Sequence, residues 1–397
     1  MTADVRTTAT GIDRWRKPSF VIGVIGLALS LAGYFINPET FFHAYLPSFL
    51  FWFSIVAGSL AVLMLQYVTG GEWGLMIRRP LGASARTMLW MVLFFIPILF
   101  GMKYLYPWTD TAWAMADENV RKKLDWLNLK RFIIFAALYF TLWNLWAWRI
   151  RMLSLKFYED RSPYTELKRR KWAASGLVMI VLTLTFASID WMLSTEPRFS
   201  STIYGITFVA GCALSALAFV TFFFAQLAHT DAMRDVLKPT HFRDLGNLML
   251  TFVMFYAYTT FSEFLLIWYA NIHEEIPHYL VRNSGTWGVI AFCMAMFHFF
   301  LPFGLLLMRP IKDKPKTIAV VAVIVIVMRY VAIYWLVAPS WYHEHFTWSW
   351  MDLTSLLGIG GIWISAFIGQ LRGQTIIPIH ETWVEEAIRE GALKVNA

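Results

Sequence analysis

Thr259-Thr260-Phe261-Ser262-Glu263-Phe264-Leu265-Leu266-Ile267-Trp268 sits inside a longer apolar run, with a single carboxylate at its centre. A soluble helix would carry a polar face over this length, and this one does not. A carboxylate at membrane depth costs roughly 2.5–3.5 kcal/mol on insertion scales, so such a residue usually has a partner and a task. His298, within Met294–Leu307, and Arg329, within Ile318–Val337, are the other ionisable residues in comparable apolar surroundings in this part of the chain.

Composition agrees with a membrane setting. The 397 residues are 58% hydrophobic and only 15% charged, with a mean hydropathy of +0.53. A soluble chain would carry about a quarter charged residues. The apolar runs are continuous and do not alternate, which excludes a β-barrel. The expected fold is therefore an all-α polytopic membrane protein. Ten spans are predicted, at about residues 20–36, 42–68, 87–106, 131–150, 173–193, 203–228, 245–271, 286–308, 317–337 and 348–371.

An even number of spans places both ends on one side. Arginine and lysine crowd the loops of that side, as at Arg78, Arg79, Arg86, Arg149, Arg151 and Lys168–Lys171, and are sparse on the other. The positive-inside rule then puts residues 1–19 and the tail 372–397 in the cytoplasm. The net charge of +8 is explained by these loops without invoking nucleic acid. Trp108, Trp172, Trp191, Trp341 and Trp348 lie near span ends and read as an interfacial belt. The segment from Pro107 to Lys130 is long enough for a surface helix. The tail after Pro378 reads as a short amphipathic helix, a docking surface or simply a solvated end. No signal-peptide cleavage pattern precedes the first span, which is expected to remain as an anchor.

Redox ligands are scarce. A membrane haem pair needs several mid-span histidines facing each other, and only His298 is mid-span. Cys212 and Cys293 both fall within apolar runs and read as small core residues. His343-x-His345 with Glu344 between is a weak surface-metal pattern. No redox metal is expected in this chain.

The polar residues that remain suggest proton chemistry or helix association. Tyr256, Thr260 and Glu263 recur at i, i+4 and i+7, on one face of a helix. Hydroxyls leading to a carboxylate make a proton relay, or they bond a neighbouring helix. Arg329 requires a counter-charge or a wet cavity. Glu263 matches it in depth, each about eight residues from the same membrane face, so the two either pair or share a cavity. His298 joins the same network or is a satisfied core histidine. Asp352 is expected to cap its helix. Asp190 lies near a helix C-terminus, where the dipole opposes a negative charge, so it needs a partner or a proton-exit role. A ten-span chain with a mid-membrane Glu/Arg pair also permits a secondary transporter, although paired Gly/Pro-interrupted helices are not evident.

Several short runs resemble the NrfD/polysulfide-reductase membrane-subunit family. They are Phe186-Ala187-Ser188-Ile189-Asp190-Trp191-Met192-Leu193-Ser194, Phe199-Ser200-Ser201-Thr202-Ile203-Tyr204-Gly205, Asp244-Leu245-Gly246-Asn247-Leu248, Leu266-Ile267-Trp268-Tyr269-Ala270-Asn271 with Glu274-Glu275, His298-Phe299-Phe300-Leu301-Pro302-Phe303, and Tyr334-Trp335 before Pro339. Together they cover roughly residues 173–371. Length and the acidic tail are most similar to the ActF-type membrane subunit of alternative complex III. The resemblance implies two four-helix bundles, 42–193 and 203–337, flanked by helices 20–36 and 348–371. It implies a bacterial inner-membrane subunit of a complex that oxidises quinol, menaquinol among the candidates. Its partners would be a sister NrfD-like membrane subunit, an iron–sulfur subunit and c-type cytochrome subunits carrying the clusters and haem c. This chain would contribute assembly and a proton path through Tyr256, Thr260, Glu263, His298, Arg329 and Asp190, without being the catalytic subunit. The alternative is a quinol site of its own near the periplasmic ends of the bundles, with Asp190 or His273 as proton acceptor. Family members often carry Gln where this chain has Glu263, and Asp ahead of the pair that is Tyr334-Trp335 here.

Overall fold

Asn37 shows how the chain divides its apolar sequence into helices. Its side chain accepts from the Thr40 amide (3.1 Å) and Pro38 follows directly, so one helix ends and the next begins within a residue. The computed structural model describes residues 11–74, 76–230, 237–343, 345–372 and Ile376; the tail helix expected after Pro378 and Glu344 of the His-x-His pattern lie outside them. Among the described residues there are helices and turns and no strand. Ten helices are long and apolar enough to cross a membrane. They are α1 (Ile12–Ile36), α2 (Pro38–Thr69), α3 (Arg78–Phe100), α4 (Leu129–Asp160), α5 (Pro163–Thr195), α6 (Tyr204–Leu227), α7 (Pro239–Ala270), α8 (Gly285–Leu307), α9 (Pro315–Ser340) and α10 (Trp350–Leu371). The protein is an all-α polytopic membrane protein.

Several helices outrun their apolar segments. α4 runs for 32 residues, about 48 Å at 1.5 Å per residue, against a hydrocarbon core of about 30 Å. Hydropathy marks only the part in lipid; the backbone ladder continues into water at no cost. The segment from Pro107 to Lys130 forms no single surface helix. Asp110 and Asp117 each cap a separate short helix, Thr111–Ala116 and Glu118–Arg121, and the second cap interrupts what would otherwise be one element.

α2 and α6 are buried over most of their length, whereas α1 and α8 are covered little. α3 and α5 pack on α2, with α4 against α3 and α5; α7 and α9 pack on α6, with α8 against α7 and α9. The two bundles meet where α2 crosses α6. Gly58 makes that crossing possible, because a Cβ there would strike the Cys212 carbonyl of α6. Ser54 of α2 also donates to Ser215 of α6 (3.1 Å). Backbone meets backbone at Gly58 and neither side can rotate away. Gly58→Ala is therefore expected to destabilise the protein by about 2 kcal/mol, measured as a drop in thermal unfolding temperature in detergent.

α1 and α10 lie against each other along a seam of small residues. A Cβ on Gly26 would come within 2.7 Å of the Gly358 Cα. Ser30 reaches Thr354 (2.9 Å) and Ser355 (3.2 Å). Small residues let helix backbones approach and exchange dispersion and hydroxyl contacts in lipid. α10 in turn joins the first bundle, with Trp363 donating to Thr87 (2.8 Å) and Trp52 of α2 donating to the Leu356 carbonyl (2.9 Å).

The tryptophan belt is only partly a belt. Trp348 is exposed, but Trp191 is 1% exposed and is enclosed by Phe95, Phe140 and Trp143. It is the aromatic centre of the first bundle. Position near a span end places a tryptophan at the right height but does not say whether it faces lipid or protein. Cys212 and Cys293 are both free thiols. The cap at α10 is shared: Ser349 caps the helix and Asp352, three residues on, accepts from the Ser349 amide (2.8 Å).

Candidate functional site

The i, i+4, i+7 face of α7 turns inward. Tyr256, Thr260 and Glu263 line one internal cavity together with Arg329 and Trp335 of α9 and Tyr204 of α6. The cavity is about 10 Å³, the scale of a single water. Thr260, Arg329 and Trp335 line it, and among the described residues the buried atoms Thr260 Oγ1, Arg329 Nη1 and Trp335 Nε1 have no hydrogen-bond partner. Buried polar atoms are nearly always satisfied by protein or by ordered water. Three such residues around one water-sized space give it the polar lining that a buried water requires.

Of the two arrangements left open for Glu263 and Arg329, the structure has the shared cavity and no direct ion pair. Glu263 accepts from the Ser201 hydroxyl and, at 3.4 Å, from the Tyr279 hydroxyl. The Arg329 guanidinium lies over the Tyr256 ring, 4.6 Å from its centre, a cation–π contact. Its Nε donates to Ser215 Oγ (3.3 Å). Gly211 makes room for it, since a Cβ there would meet the guanidinium. Ser215 thus accepts from both Arg329 and Ser54, which ties Arg329 to the junction of the bundles.

Glu263 also borders a second space. An open cleft of about 290 Å³ on the face opposite the chain's ends is lined by Ser200, Ser201, Thr202, Glu263, Leu266 and Glu275. One carboxylate thus stands between an open cleft and an internal polar cavity. The turn that carries Ser201 is held by Lys123, whose ammonium donates to the carbonyls of Pro197 (2.8 Å), Arg198 (3.2 Å) and Phe199 (3.3 Å) and to Ser200 Oγ (2.7 Å).

Tyr279 is positioned by a buried ionic cluster beside it. Arg282 donates to Glu196 Oε2 (2.9 Å) and to the Leu336 carbonyl (2.8 Å). His278 Nδ1 lies 2.8 Å from the same Glu196 oxygen, and the His278 ring stacks on Phe199 with centroids 3.7 Å apart. Burial opposes ionisation of Glu196, but the hydrogen bond from His278 and the charge of Arg282 outweigh it and hold the carboxyl at about 2. Burial pushes His278 down to about 4, and Arg282 adds to that. At neutral pH the histidine is therefore neutral and donates its Nδ1–H, and Arg282 alone supplies the positive charge.

The remaining expected residues fall elsewhere. His298 is buried in a π-helical turn, Ala295–Phe300, of α8, with its ring edge-on to Tyr256 at 4.9 Å. Pro302 follows within one turn, and a π turn loosens the backbone around a proline that cannot donate. His298 Nε2 has no partner among the described residues, so it touches the cavity wall through Tyr256 without lining the cavity itself. Asp190 is not brought to this site. It accepts from Arg131 (2.9 Å), Trp126 (3.0 Å) and Tyr139 (2.9 Å) in the first bundle. The partner it requires is Arg131, and it serves as an anchor between α4 and α5. His273 is exposed on the loop after α7, while its neighbour five residues on, His278, is the buried one.

No family model matches the chain, and no curated protein sequence matches it. Among the described residues no group of three or more His, Cys, Asp or Glu could hold a metal ion.

Ser201, Tyr279, Ser215 and Ser54 were not singled out from sequence. Ser54 and Ser215 are serines in apolar helices, which are common, and nothing in the spacing links Ser201 to a carboxylate 62 residues on. The one available signal was the turn Phe199–Tyr204 itself, whose hydroxyls lead into the start of α6.

Proposed function

We propose that this chain is an integral membrane subunit of a quinol-oxidising respiratory complex of the alternative complex III type. It contributes assembly and a proton path through the second bundle and holds no redox metal of its own. The reading rests on the motif runs of residues 173–371, on the ten-span architecture and above all on one observation: Glu263 borders both the open cleft and the internal cavity. In this reading the face bearing the chain's ends is cytoplasmic and the cleft is periplasmic, as the basic loops suggest. A carboxylate between an aqueous cleft and an internal polar cavity takes a proton from one side and releases it to the other. Tyr256, Thr260 and Arg329 line the inner side, and Ser215 ties Arg329 to Ser54. The electrons of quinol pass to clusters and haem c in partner subunits.

Purification of the tagged chain from its native membranes in mild detergent tests this directly. The expected result is co-purification of a second NrfD-like subunit, an iron–sulfur protein and c-type cytochromes, seen as a reduced-haem spectrum. A chain that purifies alone and haem-free, with full stability, would contradict the assignment and favour a transporter.

The cleft supports a second reading, in which the chain binds quinol itself. Glu263 offers a proton acceptor and Leu266 an apolar wall. Oxidation releases two protons and two electrons, the protons to Glu263 and water. Asp190, saturated by three donors, and His273, on the exposed loop, are replaced by Glu263 in that role. Quinone recovered only with the sister subunit would count against this second reading.

A further inference from the structure

The turn between α5 and α6 is fastened by a distant part of the chain. The carbonyls of Pro197, Arg198 and Phe199 all accept from the Lys123 ammonium, and among the described residues they have no other donor. Three carbonyl dipoles aimed at one point repel unless a cation lies there, and a buried carbonyl left unpaired is costly. Lys123 meets both needs from 75 residues before Arg198, in the surface segment 107–127 of the first bundle. A second link lies beside it. One oxygen of Asp117 receives the Arg198 guanidinium (2.6 Å). The other caps the helix Glu118–Arg121 through the amides of Asn119 (3.0 Å) and Val120 (3.1 Å), and the Val120 carbonyl accepts from the Lys123 amide (2.8 Å).

The same turn is held from the second bundle by the stacking of Phe199 on His278. Ser201 is therefore fixed in place, and its own bonds fix its direction. Its oxygen accepts from the Tyr204 amide (3.2 Å), and its one hydrogen goes to Glu263. Glu263 stands on α7, its donor on the turn, and the turn's clamp on the first bundle. Neither bundle alone makes this arrangement.

We propose that Lys123 is a positioning residue for Glu263: through it the surface segment 107–127 sets the Ser201–Glu263 hydrogen bond, and with that bond the proton path, without touching the carboxylate. The consequence for proton transfer rests on the path proposed above, whereas the clamp on the turn can be read without it. A displacement of the segment on the first bundle thereby reaches a carboxylate in the second.

Hydrogen exchange and proton release, both read on the assembled complex, test it. Lys123→Met keeps the apolar stem and is expected to speed exchange of the amides of residues 198–204 about tenfold and to slow proton release about tenfold. Ser201→Ala should slow release to the same degree, and Lys123→Met added to Ser201→Ala should slow it no further, because the clamp acts only through the serine. Lys123→Arg should recover part of both losses, and Arg198→Gln, at an exposed position, should cost no more than about twofold. Unchanged exchange in Lys123→Met, or additive slowing in the double variant, overturns the proposal. If Glu263→Gln leaves release unchanged, the proton path falls and takes this proposal with it; if Glu263→Gln slows release and Lys123→Met does not, this proposal alone falls.

Discussion

On the proposed function, Glu263→Gln in the assembled complex is expected to slow quinol-driven proton release about 100-fold, the usual order for loss of a positioned proton-transfer group. The amide keeps the size and the hydrogen bond from Ser201 but cannot cycle a proton, so the cleft and the cavity become disconnected for protons while the fold is retained. Thermal unfolding in detergent should stay within about 1 kcal/mol of wild type, because the Gln oxygen can still accept from Ser201 while its NH2 donates to the Tyr279 hydroxyl. Glu263→Asp, one methylene shorter, should recover part of the rate. The readout is pH change per electron delivered to the acceptor, followed with a pH dye in proteoliposomes. Unchanged proton release and turnover in Glu263→Gln would remove the path, and would leave Glu263 as an anchor for the Ser201 turn.

Arg282→Met destabilises the protein by about 3 kcal/mol at pH 7, the low end for breaking a buried pair, since Glu196 keeps 26% of its side chain exposed. The loss should shrink in acid. Glu196 has a folded value of about 2 against 4.5 unfolded, so its contribution is complete above 4.5 and disappears as the pH falls through about 2. Removing Arg282 raises the folded value and erases most of that contribution. His278 works in the same direction by a different route. It is neutral in the folded protein down to about 4, whereas the unfolded chain takes up the proton at about 6.5; stability from this group is full above 6.5 and erodes between 6.5 and 4. Unfolding temperatures of wild type, Arg282→Met and His278→Phe measured from pH 7.5 to 2 separate the two effects. The wild type should lose stability below 6.5, His278→Phe should flatten that decline, and the gap between Arg282→Met and wild type should narrow toward the acid end. A gap independent of pH would mean that Arg282 acts through the Leu336 carbonyl and packing, not through Glu196.

The spans were legible because lipid leaves an unbroken compositional trace, and the polar face of α7 was legible because three residues on one helix have a fixed angular relation. Depth matching brought Glu263 and Arg329 to one cavity, since helices that cross the same slab keep a common vertical scale. Rotation and lateral neighbours leave no such trace. Asp190 finds Arg131 across two helices, Trp191 turns inward, and His278 is buried while His273, with the same loop sequence character, is exposed. These depend on which helix faces which, information that resides in pairwise packing between distant segments. The ends of α4 and α5 were missed for a simpler reason: helix propensity does not stop where hydrocarbon does.

The glycine and serine seam between α1 and α10 has a bearing on biogenesis. Ser30 and Ser355, in contact across it, are 325 positions apart. α1 thus waits for α10, its notched surface uncovered along that seam while the intervening eight helices are made. Sealing that surface is the closing step of assembly, so a ribosome stalled before α10 would leave a protein whose two bundles are present but whose rim is unlatched, and membrane quality control has in that open notch a direct mark of an unfinished chain.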